Sequence, residues 1–216
     1  MITKRIKEIR DSINKDVELV AVSKTKSNKE ILEAYNAGQK VFGENKIQEM
    51  TEKYEVLPKD IKWHMVGHVQ SNKIKYMAPY VDLVHGIDSL KSLKILNKEA
   101  KKNNRVIRCL LQLKISDEFT KFGLSKEEIE SILNSINILD LMNINVAGIM
   151  TIGSFTENMN VVVKEFDKTK KIFDSLKTAF PNLKILSMGM SNDYKIAINH
   201  GSNMIRVGSL IFGKRI

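Results

Sequence analysis

The sequence predicts an α/β fold, a single (β/α)8 TIM-type barrel, and three observations carry that prediction. Eight short apolar runs recur along the 216 residues, segments with helical spacing separate them, and polar residues capable of chemistry gather where the runs end. Alternating strands and helices imply a parallel sheet. Eight units in so short a chain argue for a closed barrel near the lower size limit of that fold. The alternative architecture is a doubly wound open sheet.

In chain order, a first amphipathic helix over residues 2–14 carries Ile2, Ile6, Ile9 and Ile13 on one face. The apolar runs then fall at Leu19–Val22, Lys40–Gly43, Lys62–Gly67, Leu83–Ile87, Val106–Leu113, Val146–Ile152, Ile185–Met190 and Met204–Gly208. Helical spacing between them is set by Ile31, Leu32, Ala34 and Tyr35; by Leu90, Leu93, Leu96 and Ala100; by Ile129, Ile132, Leu133 and Ile136; and by Val163, Phe166, Ile172, Phe173 and Leu176. Ser27 with Glu30, and Ser125 with Glu128, have the spacing of capping boxes that start two of these helices. Pro58 and Pro79 sit in short connections, and no linker divides the chain, so residues 1–216 are expected to form one domain.

Composition narrows the class. Apolar residues at 43% can build a core, and charged residues at 28% suit a water-exposed surface. No run approaches the roughly 18 apolar residues of a membrane span. The charged start of the chain lacks a signal-peptide core, and a single cysteine, Cys109, sits in an apolar run as a small hydrophobe. A cytoplasmic protein without disulfides and without membrane contact is expected. The net charge of +10 raises the question of nucleic acid, but only six of the 35 basic residues are arginine and the lysines are scattered. Phosphate and base recognition favours the arginine fork, so no nucleic-acid partner is expected. The histidines His64, His68, His85 and His200 show no zinc spacing beyond an isolated His64–His68 pair, and no metal site is expected.

In a barrel, functional groups belong at the carboxyl ends of the strands. Here the first run ends in Lys24, the second in Gly43-Glu44-Asn45, the third in His64 and Gly67, and the fourth in His85. The sixth ends in Met150-Thr151, the seventh in Ser187 through Asp193, and the eighth in Arg206-Val207-Gly208-Ser209. Gly43 and Gly67 read as simple turn residues, and His64, beside Trp63, as a hydrogen-bonded core histidine. Lys24 is the sharpest signal, because a partly desolvated lysine at the barrel mouth can condense with an aldehyde to an imine. Ser191, ahead of the helical stretch Tyr194–Asn199, and Gly208-Ser209 occupy the loops after strands seven and eight, the recurring phosphate site of this fold. A ligand with a phosphate at one end and an aldehyde at the other satisfies both features, and pyridoxal phosphate is such a ligand.

Ordered segments along nearly the whole chain carry a resemblance. They are Ala21–Lys26; Phe42–Asn45 with Gln48-Glu49; Trp63-His64 through Gly67 with Gln70, Asn72 and Lys73; Lys121–Leu124; Gly148–Thr151; Leu186–Ser191 with Asp193; and Arg206–Gly208 with Ile211–Gly213. In these the chain resembles the pyridoxal-phosphate homeostasis protein family (the YggS/PROSC family). The resemblance implies a barrel like the alanine racemase N-terminal domain, with pyridoxal 5'-phosphate held covalently on Lys24. It implies Ser191, Gly208 and Ser209 around the phosphate and Arg206 near the pyridine nitrogen; Asn45 and Met188 complete the expected cofactor-binding set. His68 and Ser209 depart from the family, which usually has leucine and often threonine there.

Catalysis by this cofactor usually needs a protonated ring nitrogen beside a carboxylate. An arginine there disfavours that proton. The five tyrosines (Tyr35, Tyr54, Tyr76, Tyr80, Tyr194) fall in helical or connecting segments, and Ile216 follows closely on the eighth strand, so no second domain with a catalytic tyrosine is expected. The expected function is a monomeric carrier in intracellular cofactor homeostasis, without strong activity of its own, with PLP-dependent apoenzymes as candidate recipients. The alternative is a racemase-type enzyme acting on a small amino acid.

Overall fold

The computed structural model describes residues 1–115 and 122–213; Lys121 of the resemblance above lies outside them. Eight parallel strands close into a barrel in sequence order: β1 Glu18–Val22, β2 Val41–Glu44, β3 Lys62–Met65, β4 Leu83–Ile87, β5 Ile107–Gln112, β6 Ile144–Met150, β7 Ile185–Ser187 and β8 Met204–Val207. Closure is explicit in the register, where Glu18, Leu19, Val20 and Ala21 of β1 face Met204, Ile205, Arg206 and Val207 of β8. The closed barrel excludes the open-sheet alternative.

The helices follow the expected periodicity. They are α1 Ile2–Asp11, α2 Asn28–Asn36, α3 Ile47–Val56, α4 Ile74–Met77, α5 Leu90–Lys102, α6 Lys126–Ile138, α7 Met159–Ala179, α8 Tyr194–Asn199 and α9 Ser209–Phe212. Both capping boxes form: Ser27 and Glu30 exchange backbone and side-chain bonds, and the Ser125 N–H donates to Glu128 while the Glu128 N–H donates to Ser125. The first helix ends three residues earlier than its apolar spacing predicts, because the Ser12 hydroxyl donates to the Ile9 carbonyl and closes the last turn.

The core has two compartments. The larger lies between the strands and the helices and includes Phe42, Trp63, Leu111, Phe166 and Ile205. The smaller fills the barrel interior with Val20, Val41, Val66, Leu83, Leu110, Ala147, Met150 and Met204. Inward positions on β3, β4, β7 and β8 break that apolar filling, since His64, His85, Ser187 and Arg206 are all buried. Cys109 is buried in the outer compartment, and burial pushes its thiol up to about 12, as befits a packing residue. No helix among the described residues is long and apolar enough to cross a membrane.

Strand ends differ from the apolar runs where backbone geometry intervenes. β7 stops at Ser187, because Gly189 adopts a φ of +97° that turns the chain out of the sheet. Gly67 is more than a turn residue: a Cβ there would lie 2.4 Å from the Asn45 carbonyl oxygen, so the β3 loop packs directly on the β2 loop.

Candidate functional site

At the carboxyl end of the barrel a cavity of about 510 Å3 opens between the loops. Lys24 and Lys26 line it from the loop after β1, Asn45 from the loop after β2, and Ser191, Arg206, Gly208 and Ser209 from the ends of β7 and β8. Six of the seven expected cofactor residues therefore meet in one cavity. Met188 does not: its side chain is fully buried in the outer core and stands apart from the cavity wall. The cavity has a further wall that strand-end reasoning missed, the stretch after β6 that contributes Ile152, Ser154, Phe155 and Thr156. Its only sequence signal is a polar run between β6 and α7.

Lys24 is half-buried and sits between two pinned neighbours. The buried Lys53 ammonium donates to the Ser23 carbonyl at 2.8 Å, to Glu44 Oε1 at 2.8 Å and to Glu49 Oε1 at 2.7 Å. Ser23 Oγ donates to the same Glu44 oxygen at 2.6 Å, and the Thr25 N–H donates to Glu49 Oε1 at 2.5 Å. Thr25 holds a φ of +64°, a conformation costly for a β-branched residue, and the Glu49 bond keeps it there. Burial raises the Glu44 carboxyl above its usual range against the pull of Lys53, and Glu44 Oε2 has no hydrogen-bond partner among the described residues. Glu49 is also penalised by burial, but the bonds from Lys53 and Thr25 hold its carboxyl below the usual range. Lys26, the alternative amine, directs its Nζ to the Phe212 carbonyl at 3.2 Å and to Glu30 at 3.4 Å. Lys46, the other nearby lysine, is exposed ahead of α3.

The adjoining wall, after β7 and β8, presents amides to an oxygen, and β8 pairs directly with β1. The backbone N–H groups of Gly208 and Leu210 converge on Ser191 Oγ at 3.3 and 3.5 Å. The start of α8 contributes differently from its sequence reading, because the buried Asp193 carboxylate accepts from the Met190 N–H at 2.5 Å. Burial raises the Asp193 carboxyl, opposed by that amide and by Arg206.

Arg206 is buried, with Nη1 donating to the Ser187 carbonyl at 3.0 Å and to Ser187 Oγ at 2.7 Å, and Nη2 donating to the Thr151 carbonyl at 2.9 Å. Burial lowers its guanidinium to about 10, with Asp193 opposing, so it remains a cation at neutral pH. None of the five tyrosines lines the cavity. The tyrosines Tyr35, Tyr80 and Tyr194 instead hydrogen-bond to Asp60, Thr51 and Ser12 on the helical layer.

Beneath Arg206, His64 takes the core role read from the sequence, bonded to Asp82 at 3.2 Å and to His85 at 3.1 Å. His68 points elsewhere, paired with Asp88 and stacked on Phe122. Burial lowers both His64 and His85 below the ordinary histidine value of 6.5, so the folded state binds fewer protons there than the unfolded chain. Stability is therefore expected to fall as pH drops below about 6.5, where the unfolded histidines charge. Unfolding midpoints in urea measured from pH 8 to pH 5 check this; a His85→Gln variant should show a shallower decline.

The barrel and its cavity define a class, and comparison with known proteins gives the same one. Residues 1–215 match the alanine racemase N-terminal domain family. The pyridoxal phosphate homeostasis protein of Aquifex aeolicus is 38% identical over 200 residues, 92% of this chain and 87% of its own. That of Escherichia coli K12 is 33% identical over 231 residues, covering 99% and 97%. Among solved structures, PipY of Synechococcus elongatus with PLP bound superposes with a TM-score of 0.89 at 31% identity, covering 99% of this chain and all of that one. Alanine racemase of Clostridium difficile 630 superposes at 0.81 over 99% of this chain and 56% of its own, but at 16% identity that likeness concerns the fold alone. The chain belongs to the pyridoxal phosphate homeostasis protein family.

Proposed function

We propose that this protein binds pyridoxal phosphate in the cavity at the carboxyl end of the barrel and serves as a carrier in cofactor homeostasis, with no strong catalysis of its own. The observation that carries this reading is the meeting, in one cavity, of a lysine at the end of β1 with two amides converging on one oxygen position. Those residues fit a phosphorylated aldehyde. The Gly208 and Leu210 amides, with Ser191 and Ser209, would hold the phosphate. Gly208 suits that wall, since a Cβ there would already lie 3.1 Å from the Val22 carbonyl. Lys24, fixed through Ser23 and Thr25, would hold the aldehyde end covalently, its amine condensing with the carbonyl and releasing water.

The bound group supplies an electrophilic carbonyl and a ring that can accept carbanion charge. Arg206, which the family resemblance puts near the ring nitrogen, would weaken that second capacity, because a cation opposes a proton on the nitrogen. With no tyrosine in the cavity to move a proton at the substrate carbon, a carrier fits these residues better than a racemase. PLP-dependent apoenzymes would be the recipients, and the carrier would act as a monomer.

The test is direct. The protein loaded with pyridoxal phosphate should be yellow. Borohydride reduction and peptide mapping should put the label on Lys24, and a label on Lys26 or Lys46 would overturn the site. Steady turnover of either alanine enantiomer by the pure protein would replace the carrier with the enzyme reading. Ser191→Ala removes one hydrogen-bonding group to the phosphate, a charge-assisted contact contributing about 1.5–3 kcal/mol. The expected loss of affinity is roughly ten- to 150-fold, and unchanged affinity in an equilibrium titration would move the phosphate elsewhere.

A further inference from the structure

The buried polar groups under Arg206 form one continuous chain through the barrel. Arg206 Nη1 lies 2.7 Å from Ser187 Oγ, Ser187 Oγ lies 3.2 Å from His85 Nδ1, His85 Nε2 lies 3.1 Å from His64 Nδ1, and His64 Nε2 lies 3.2 Å from Asp82 Oδ2. The chain uses β8, β7, β4 and β3 in turn and ends at Asp82, just before β4, at the amino end of the barrel. There the exposed Arg108 also donates to Asp82, at 2.5 Å. Barrel interiors of this type are ordinarily filled by layers of branched apolar residues, so a polar path across one needs a reason.

Both ends of the chain fix its direction. A guanidinium can only donate and a carboxylate can only accept. Burial by itself would raise the Asp82 carboxyl, but the His64 bond and the Arg108 charge hold it at about 2, so it is ionised at neutral pH. His64 must then carry its proton on Nε2 and accept at Nδ1. His85 must donate from Nε2 and accept at Nδ1, and the Ser187 hydroxyl must donate to His85 while accepting from Arg206. With both histidines neutral, every link is satisfied by this single arrangement. Successive bonds of like direction polarise one another, and a low dielectric strengthens the effect.

We propose that Asp82, His64, His85 and Ser187 are positioning residues for Arg206: a one-way hydrogen-bond chain that fixes the orientation of its guanidinium at the cofactor cavity and ties it to the far end of the barrel. The inference rests on the reading that Arg206 faces the bound cofactor, but the chain itself is testable without cofactor. The first experiment is nitrogen-15 NMR of histidine-labelled, cofactor-free protein at neutral pH. Both His64 and His85 should be neutral Nε2–H tautomers. An Nδ1–H tautomer or an imidazolium at either residue overturns the chain.

Asp82→Leu removes the terminal acceptor at a half-exposed position. His85 does not touch Asp82, yet its Nδ1 and Nε2 shifts should move with those of His64. Unchanged His85 shifts would show separate contacts and not a chain. For the effect on the cavity, His85→Leu should weaken pyridoxal phosphate binding roughly five- to tenfold, the scale of one lost hydrogen bond. It should also shift the visible band of the bound cofactor. His85→Gln, which can accept from Ser187 and donate to His64, should restore both. Equal affinity and spectrum in the Leu variant and the parent would overturn the positioning role. Failure of the unmodified protein to bind pyridoxal phosphate would instead overturn the function proposed above, leaving the NMR result to judge the chain.

Discussion

Replacing Lys53 with methionine is expected to destabilise the protein by about 3–5 kcal/mol, because it leaves a buried carboxylate without its partner. Glu44 is fully buried, Lys53 is the cation that faces it, and Ser23 and Glu49 share the same ammonium. The loss should depend on pH with a definite sign. Burial already raises the Glu44 carboxyl in the folded protein, and losing Lys53 raises it further. The folded variant then holds a proton on Glu44 that the unfolded chain releases above about pH 4.3. Its stability relative to the parent must decline as pH rises through that interval, so the deficit is smallest in mild acid and largest at neutral pH. Denaturant titrations of parent and variant between pH 4.5 and 8 check the sign. A double variant, Lys53→Met with Glu44→Leu, should recover much of the loss, because a buried ion pair replaced by apolar groups of similar volume is often near neutral. The single variant should also label less readily at Lys24, whose neighbours Ser23 and Thr25 lose an anchor or its support.

Replacing Arg206 with glutamine has the largest expected effect on chemistry. Glutamate, the more obvious choice for stabilising a protonated ring nitrogen, would point a carboxylate at the Ser187 and Thr151 carbonyls that Arg206 now satisfies. Glutamine, though shorter, keeps an amide with two N–H donors and removes the charge. The cost in stability should be about 1–3 kcal/mol, the scale of one unsatisfied buried group. In the loaded variant the ring nitrogen should gain a proton more easily, and transamination or racemisation of alanine should run faster than in the parent. Nitrogen-15 NMR of labelled cofactor provides the independent readout. A ring nitrogen already protonated in the parent would remove the reason for the change.

Most of this site was legible because a barrel converts sequence position into place. Lys24, Asn45, Ser191, Gly208 and Ser209 each follow a strand and Arg206 lies near the end of β8, and eight strands closed in order bring these ends to one rim. Met188 followed the same rule into the core, because β7 is only three residues long and the turn at Gly189 leaves its side chain under the outer layer. Glu44 was visible as a polar strand end, but its meaning depended on Lys53, nine residues on and one helix away.

The sequence by itself determined the alternation of elements, the helix caps and the rim positions, since these follow from local periodicity and from covalent order along the chain. Only the tertiary structure decided which inward residues meet across the barrel. His64, His85, Ser187 and Arg206 stand on four strands, and Ser187 is 102 residues from His85. No local pattern encodes that meeting. It follows from closure, which brings β3, β4, β7 and β8 around one axis, and from the low dielectric there, which makes each buried polar group find a partner.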